Sequence, residues 1–505
     1  MALRDRLRKV LHDPYTVALL LLLTVALIAR IPLLLTGATE EDVYITLRYA
    51  ANIAQGVGFV YNPGEHVLGT TTPLYTLWLA LLFRLHLNAL LGGKLLGIAC
   101  DLLTALGAYR LGRAVGRPGV GLGAAWAVAL FPLNLTWAAR GMEVGPVAAA
   151  IMGSFLGQIL EKELVTWFCA ALLLLLRIDG GVLALFLLGD SLLRLHRFPW
   201  KGLLLFCLIV LPWLVFATIY FGSFIPTSVP AKLIVYSREY ARPLPQLKPF
   251  LSHMLMHPFE GCMSVGCILA ILQAVWGFVH KETTLQSQNT NLLASLLWML
   301  TYYAAMAFSP VFLFGWYFVP PSPLFYFWGM LGWFALGARL LPNRFRLSPL
   351  VATALASLLL ATVTVPYAYH TLKRAQMAEQ RLRLPIGVWL HTHAHPYQTL
   401  MLEPIGYIGY FSGLRVLDTV GLVSPQVLPF YAKRYPSPLH ALWSHFLPDF
   451  VLLRAGEYQM LVRYERTLPF AERLEGHYRL IHVWHDPSHP MAVPAFYLFR
   501  RSNPL

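Results

Sequence analysis

The chain has 505 residues, 57% hydrophobic and only 12% charged, with a mean hydropathy of +0.58 and a formal net charge of +15. That composition excludes a soluble globular protein. The positive charge would suggest nucleic acid in a soluble chain, but here the basic residues gather in short loops between apolar runs, as the positive-inside bias expects of a membrane protein, and no nucleic-acid partner is implied.

Apolar runs long enough for a bilayer core of ~30 Å recur through the first 366 residues. The first, Tyr15–Leu35, follows Arg4, Arg6, Arg8 and Lys9. It is too long for a signal-peptide core and no small-residue cleavage pattern follows, so it reads as a retained span with a cytoplasmic N-terminus. Basic clusters at Arg110, Arg113 and Arg117, at Arg194, Arg197 and Lys201, and at Arg339, Arg344 and Arg346 set the topology if all face the cytoplasm. Eleven spans satisfy them, near 15–36, 93–111, 119–138, 145–160, 164–178, 180–193, 202–221, 260–280, 291–309, 318–339 and 349–366. An odd count places the C-terminus outside. The chain is then an integral, multi-pass protein of the plasma membrane, with a transmembrane module of residues 1–366 and an extracytoplasmic domain of residues 367–505.

Residues 37–92 form one large outer loop in this scheme. Pro73–Leu87 is apolar and reads as a helix at the membrane interface or dipping part way in. Val43–Ala54 reads as a second, with Val43, Leu47, Ala50, Ala51 and Ala54 on one face. The acidic triplet Glu40, Glu41 and Asp42 stands at its start, where backbone N–H groups favour a carboxylate. Carboxylates are costly at bilayer depth, so a cluster of them at a membrane boundary points to chemistry rather than stability. Beyond Pro366, short alternating stretches (Gln398–Leu402, Leu414–Leu417, Phe450–Leu453 and Phe496–Phe499) separated by turn residues suggest a small mixed α/β domain. Cys100, Cys169, Cys207, Cys262 and Cys267 read as buried free thiols. His391, His393 and His395 alternate, which on a strand would put them on one face. They have no carboxylate or cysteine at ligand spacing, so a solvated strand edge or loop is expected rather than a metal site.

Several ordered motifs carry a resemblance. Asp42–Tyr44 leads to Arg48-Tyr49-Ala50-x-Asn52 and then Gly56-x-Gly58-Phe59-Val60-Tyr61-Asn62-Pro63-Gly64-Glu65. Further on stand Gly141-Met142-Glu143, Arg177-Ile178-Asp179-Gly180, Ile225-Pro226-Thr227 through Ala231-Lys232, and Trp316-Tyr317-x-x-Pro320. The last pair is Ile405 through Gly413 and Asp418-Thr419-x-Gly421-Leu422-Val423. The set resembles polyprenyl-phosphate-dependent glycosyltransferases of the GT-C class. Terminal arabinofuranosyltransferases are nearest in pattern; lipid A aminoarabinose transferases and protein O-mannosyltransferases are more distant. Where the more distant relatives have Glu-Lys before the second interfacial helix, this chain has Thr71-Thr72-Pro73, so any phosphate contact made by that Lys must fall elsewhere.

The resemblance implies a membrane glycosyltransferase that moves a sugar from a polyprenyl-phosphate carrier to an extracytoplasmic glycan, lipid or protein, with inversion. It implies Asp42 as general base, against a helix-cap or structural role, with Glu41 as a neighbour able to substitute and Glu40 as a plain cap. Glu143 is a second outer carboxylate, able to orient the acceptor or tune Asp42, or to pair with Arg140. Asp179 is a substrate-side acid or an ion pair with Arg177. Lys232 and Arg48 are the candidate cations for the donor phosphate, against ordinary snorkelling. Trp316 and Tyr317 could stack on a sugar or belong to an aromatic belt. A divalent cation is left open, since some relatives use one and others do not, and no metal ligand set stands in the sequence. No Asp-x-Asp signature of nucleotide-sugar enzymes occurs in a plausible cytoplasmic loop, which favours the lipid donor. The competing reading is a transporter or flippase for a lipid-linked sugar; the boundary position of the acids and the absence of an internal repeat favour the enzyme.

Overall fold

The structure, a computed structural model, describes residues 13–239, 246–279, 292–340, 348–433, 435–486 and 494–502. The basic residues Arg4 to Lys9, Arg344 and Arg346 used for the topology lie outside the described residues. The protein is mostly helical and carries a small mixed sheet near the C-terminus.

Seventeen helices precede the sheet among the described residues: α1 (Pro14–Leu35), α2 (Glu41–Ala54), α3 (Pro73–Arg84), α4 (Ala89–Ala114), α5 (Pro118–Leu130), α6 (Pro132–Ala138), α7 (Val144–Ile159), α8 (Glu163–Leu176), α9 (Gly180–Leu193), α10 (Trp200–Phe221), α11 (Ser228–Glu239), α12 (Leu247–Met256), α13 (Pro258–Val279), α14 (Leu293–Ala307), α15 (Ser322–Leu340), α16 (Pro349–Ala378) and α17 (Leu384–His393). Five described helical segments are long and apolar enough to cross a membrane, and α5 with α6 makes a sixth if that pair, bent by 52°, is one broken span. The protein is therefore an integral membrane protein. The break has a local cause: Phe131 is extended and Pro132 supplies no N–H, so α6 starts afresh. Proline at the first turn recurs at α1, α3 and α5, where its missing donor costs nothing. In α1, Asp13 caps the helix by accepting from Tyr15 N at 3.2 Å.

The chain divides into two compact units: residues 1–38, 93–213 and 242–372 form the first, and residues 39–92, 214–241 and 373–505 the second. A boundary at residue 366 thus separates the chain by composition, whereas by packing residues 39–92 share a unit with the C-terminal region. In the first unit, helices pack through small residues. A side chain at Gly266 of α13 would meet Gly329 O at 2.2 Å, so only glycine lets α13 and α15 approach this closely. The same unit buries Arg30 of α1, which donates to Ala26 O at 2.8 Å and Ala129 O at 3.0 Å and pairs with Asp101 of α4.

In the second unit the sheet has strand order β2-β1-β3-β5-β4, with β1 (Thr399–Leu402), β2 (Arg415–Asp418), β3 (Phe450–Arg454), β4 (Tyr478–His485) and β5 (Pro494–Arg501). β1 pairs parallel with β2 and β3, and β5 runs antiparallel between β3 and β4. Four of these strands fall on the alternating stretches read from sequence; β4 does not. Met401, Val451, Leu453, Trp443, Leu461 and Phe499 build its core.

Three expectations are corrected. His391 and His393 sit at the end of helix α17, not on a strand, because Ile386 and Leu390, four apart, are both fully buried. The helix begun at Pro349 does not end at Pro366; it carries that proline internally and runs to Ala378. Among the cysteines, all free, Cys207 and Cys262 are exposed on their helices.

Candidate functional site: an acid cluster at the start of α2

Helix α2 begins at Glu41, so Asp42 occupies its first turn as expected. Glu40 stands at the N-cap but makes no side-chain cap bond. The centre of α2 is buried on more than one face, since Tyr44, Ile45, Arg48 and Tyr49 join Val43, Leu47 and Ala50. The reason lies about 360 residues away in sequence, in the short helix α18 (Tyr407–Ser412). The Tyr44 ring packs on Tyr407 at 4.2 Å and on Phe411 at 5.2 Å. Arg48 donates to Tyr61 O at 2.9 Å, Gly409 O at 2.5 Å and Leu414 O at 2.7 Å, with its guanidinium 4.2 Å from the Tyr61 ring. Tyr61 Oη donates to Ile405 O at 2.6 Å, and Asn62 exchanges two bonds with the backbone of Val416, at 2.8 and 3.0 Å. The Tyr61-to-Glu65 motif and the Ile405-to-Gly413 motif are therefore two sides of one seam within the second unit. Arg48 serves it as an internal clamp.

The same seam fixes the acids. Glu41 Oε1 accepts from Gly406 N at 2.5 Å, and a side chain at position 406 would sit 2.1 Å from Glu41 O, which explains the glycine. Thr39 N donates to Gln376 Oε1 at 3.1 Å. One turn beyond Gln376, residues Glu379–Arg383 form a π-helical turn between α16 and α17, a rare geometry frequent at functional sites. Arg383 donates to Glu379 at 2.8 Å, and its charge acts on both Glu41 and Asp42. Lys232, half-buried on α11, also acts on Asp42. Its segment is held by Thr227, which donates to Leu68 O through both N, at 2.9 Å, and Oγ1, at 3.0 Å, and also to Leu422 O.

Burial pushes the Asp42 carboxyl up, and Lys232 and then Arg383 oppose that shift. Burial pushes Glu41 up to about 8; Arg383 and the Gly406 N–H pull it down, while Asp42 and Glu379 push it further up. Glu379 is raised as well, mainly by burial. The cluster thus gathers four carboxylates, Glu40, Glu41, Asp42 and Glu379, around the cations Lys232 and Arg383. A carboxylate raised in pKa and faced by cations can take a proton from a hydroxyl while the cations hold an anion.

Glu143, Asp179, Trp316 and Tyr317 lie in the first unit, around Arg177. Arg177 makes a two-pronged contact with Asp179, both bonds at 3.1 Å, and lies 5.1 Å from the Tyr317 ring. Glu143 is buried and its charge acts on Arg177. Tyr302 Oη donates to Tyr317 O at 3.3 Å. Trp316 is boxed between Phe314, stacked at 4.3 Å, and Trp137, edge-on at 5.6 Å. The ion-pair alternative for Asp179 is thus what the geometry supplies. No group of three or more His, Cys, Asp or Glu suited to a metal occurs among the described residues.

Arg383 and Glu379 went unread in the sequence. They sit in an ordinary-looking charged stretch after a span, and only packing across the chain brings them to α2. The one local signal was charge of both signs four residues apart, common to any exposed helix.

Comparison with known proteins places this fold. Residues 372–499 match the profile of a family described as a domain of unknown function (DUF8728). No curated protein sequence matches the chain. Among solved structures, the chain is similar to ArnT from Cupriavidus metallidurans bound to undecaprenyl phosphate, with TM-score 0.56 at 12% identity over 95% of this chain and 97% of that one. It is similar to the Archaeoglobus fulgidus oligosaccharyltransferase tethered with an acceptor peptide, with TM-score 0.54 at 11% identity over 95% of this chain and 74% of that one. It is also similar to the mycobacterial arabinofuranosyltransferase AftD, with TM-score 0.52 at 16% identity over 97% of this chain but 40% of that one. All three are GT-C glycosyltransferases, and this chain shares their fold.

Proposed function

We propose that the protein is a GT-C-type glycosyltransferase that takes a sugar from a polyprenyl-phosphate carrier and passes it, with inversion, to an extracytoplasmic acceptor. The observation that carries the reading is Asp42, a carboxylate raised by burial at a helix start and acted on by both Lys232 and Arg383.

In the proposed reaction Asp42 accepts the proton of the acceptor hydroxyl as the new C–O bond forms. The bond from the anomeric carbon to the phosphate oxygen breaks, and the phosphate departs on its carrier. Lys232 and Arg383 hold the departing phosphate; charge-assisted contacts of this kind strengthen as negative charge develops. Glu41, held by Gly406 N–H and raised to about 8, is neutral near pH 7, so the base role falls to Asp42, where Lys232 and Arg383 oppose the upward push of burial. Arg48 is assigned to the seam and not to the phosphate, since three of its donors already meet carbonyls. Asp179 and Tyr317 stay with Arg177 as an assembly able to position a substrate, and Glu143 with them. The N-terminus is cytoplasmic and the C-terminal region lies outside, in line with the basic loops.

The undecaprenyl phosphate bound to ArnT and the dolichol-phosphate bound to the Archaeoglobus fulgidus enzyme support a lipid-linked donor. The test is incubation of purified protein with a panel of polyprenyl-phosphate sugars and, separately, nucleotide sugars, scored for release of free carrier phosphate. Consumption of a lipid-linked sugar supports the reading; consumption of nucleotide sugars alone overturns it.

A further inference from the structure

The end of α2 farthest from the acid cluster borders a groove of about 630 Å³ that the proposed reaction does not use. Between Asp42 and Ala54 the helix rises about 18 Å, so the two places are distinct. One wall is the last turn of α2 and the residues after it, with Ile53 and Gln55; the other is a face of α3 with Leu77, Leu81 and Arg84. Both walls lie within residues 39–92 of the second unit.

The groove opens beside an apolar face that the fold leaves uncovered. Helix α3 is apolar on two sides: Tyr75, Leu79 and Leu82 are buried, whereas Leu77, Trp78 and Leu81 are exposed, and Leu85 just past the helix continues them. In an integral membrane protein, a short helix that leaves leucines and a tryptophan exposed presents them to hydrocarbon at the interface. Lipid therefore covers this face, and the groove is continuous with it through Leu77 and Leu81.

The polar end of the groove is basic. Arg84, in the last turn of α3, is exposed and makes no hydrogen bond or ion pair among the described residues. On the opposite wall the exposed Gln55 adds an amide, able to donate and to accept. No acidic residue lines the groove. A phosphate carried on an apolar chain thus meets a guanidinium at one end and leucines along its length. A choline or ethanolamine headgroup brings its own ammonium, which no carboxylate here answers, so the charge favours a headgroup of net negative charge whose hydroxyls the amide can meet.

We infer that this groove holds an anionic phospholipid of the surrounding bilayer, with its phosphate on Arg84 and an acyl chain along Leu77 and Leu81. The site does not depend on the glycosyl-transfer reading and is tested by binding alone. The full-length protein is placed in phosphatidylcholine nanodiscs with a trace of phosphatidylglycerol or phosphatidylcholine carrying a diazirine on its acyl chain. After irradiation, labelled peptides are mapped by mass spectrometry. The phosphatidylglycerol probe should label peptides covering 53–56 and 77–84 about fivefold more than the phosphatidylcholine probe, the scale of one basic residue at a lipid surface. Arg84→Gln should bring the two probes level, and Arg84→Lys should keep most of the preference. Because Arg84 is exposed and unpartnered among the described residues, neither variant should shift the unfolding midpoint.

Equal labelling by the two probes in the parent protein would overturn the inference, since the groove would then be plain lipid-facing surface. A preference that survives in Arg84→Gln would overturn it as well, because the headgroup would sit elsewhere. Competition by soluble glycerol phosphate as strong as that by phosphatidylglycerol would make this a site for a free anion. Stronger competition by undecaprenyl phosphate would give the groove to the donor's carrier. Either result would remove the phospholipid.

Discussion

The two compact units differ in how particular buried acids are neutralised. In the first, three ion pairs stand out, Arg30 with Asp101, Arg177 with Asp179 (Glu143 also acts on Arg177), and Arg194 with Asp190 at 2.7 Å. In the second, at the head of α2, four carboxylates share two cations, and burial raises Glu41, Asp42 and Glu379. A matched pair serves the fold, because removing one partner strands a buried charge. In the cluster Glu41 also holds Gly406 N–H and Glu379 accepts from Arg383, and under the proposed function the raised Asp42 is the acid kept for proton transfer. The contrast teaches that the number of acids in a membrane protein says less than how each is neutralised.

Breaking a matched pair gives the largest expected effect on stability. Arg30→Ala leaves Asp101 buried without its partner and should cost about 3–5 kcal/mol, read as a lowered unfolding midpoint in a denaturant titration. The double change Arg30→Met with Asp101→Leu should restore most of the loss. Full stability of the single variant would show that the pair carries no structural weight.

In the cluster, the expected effects are on binding. Lys232→Gln and Arg383→Gln should each weaken undecaprenyl phosphate binding by about 10–100-fold, the size of one hydrogen bond to a charged group, with little change in unfolding midpoint. Arg383→Lys should recover part of the loss, because charge survives while the planar fork does not. If Arg383→Gln binds the carrier phosphate as well as the parent does, the π-helical turn has no part in the donor site.

A further effect is a pH dependence of stability. Glu41 is raised to about 8 in the fold, above its ordinary value near 4.5, so the folded state holds a proton that the unfolded chain has lost between those values. Its contribution to stability is fully present below pH 4.5 and is lost as pH rises through about 8. Melting curves from pH 5 to pH 9 should show this decline in the parent protein. Glu41→Gln, which cannot ionise, should flatten that part of the curve. An unchanged profile in the variant would assign the decline to other groups.

Much of the helical framework was legible because span-length apolar runs leave few alternatives: α1, α7, α9 and α10 lie within about two residues of the ranges read from hydropathy. The α5–α6 pair was read as one run because its break is a single extended residue, Phe131, before a proline. β4 escaped because Tyr478–His485 carries His and Arg among its apolar residues and two register irregularities, which blur the period of two. At the candidate site, the place of Asp42 in the first turn of α2 was legible from the sequence. Glu379 and Arg383 were not, since nothing local distinguishes them from a solvated helix face. Arg48 was read as a cation for a phosphate from its place on α2, and its contacts with the carbonyls of Gly409 and Leu414, more than 360 residues away in sequence, were not legible.

The most direct test of the contrast between surplus and matched acids is a single-turnover transfer assay on two variants, with a polyprenyl-phosphate sugar that the parent protein consumes. Asp42→Asn should slow transfer by about 10²–10⁴-fold, the scale of a lost general base, while still binding the donor. Asp179→Asn should keep most of the rate. Transfer by Asp42→Asn at the parent rate would contradict the account.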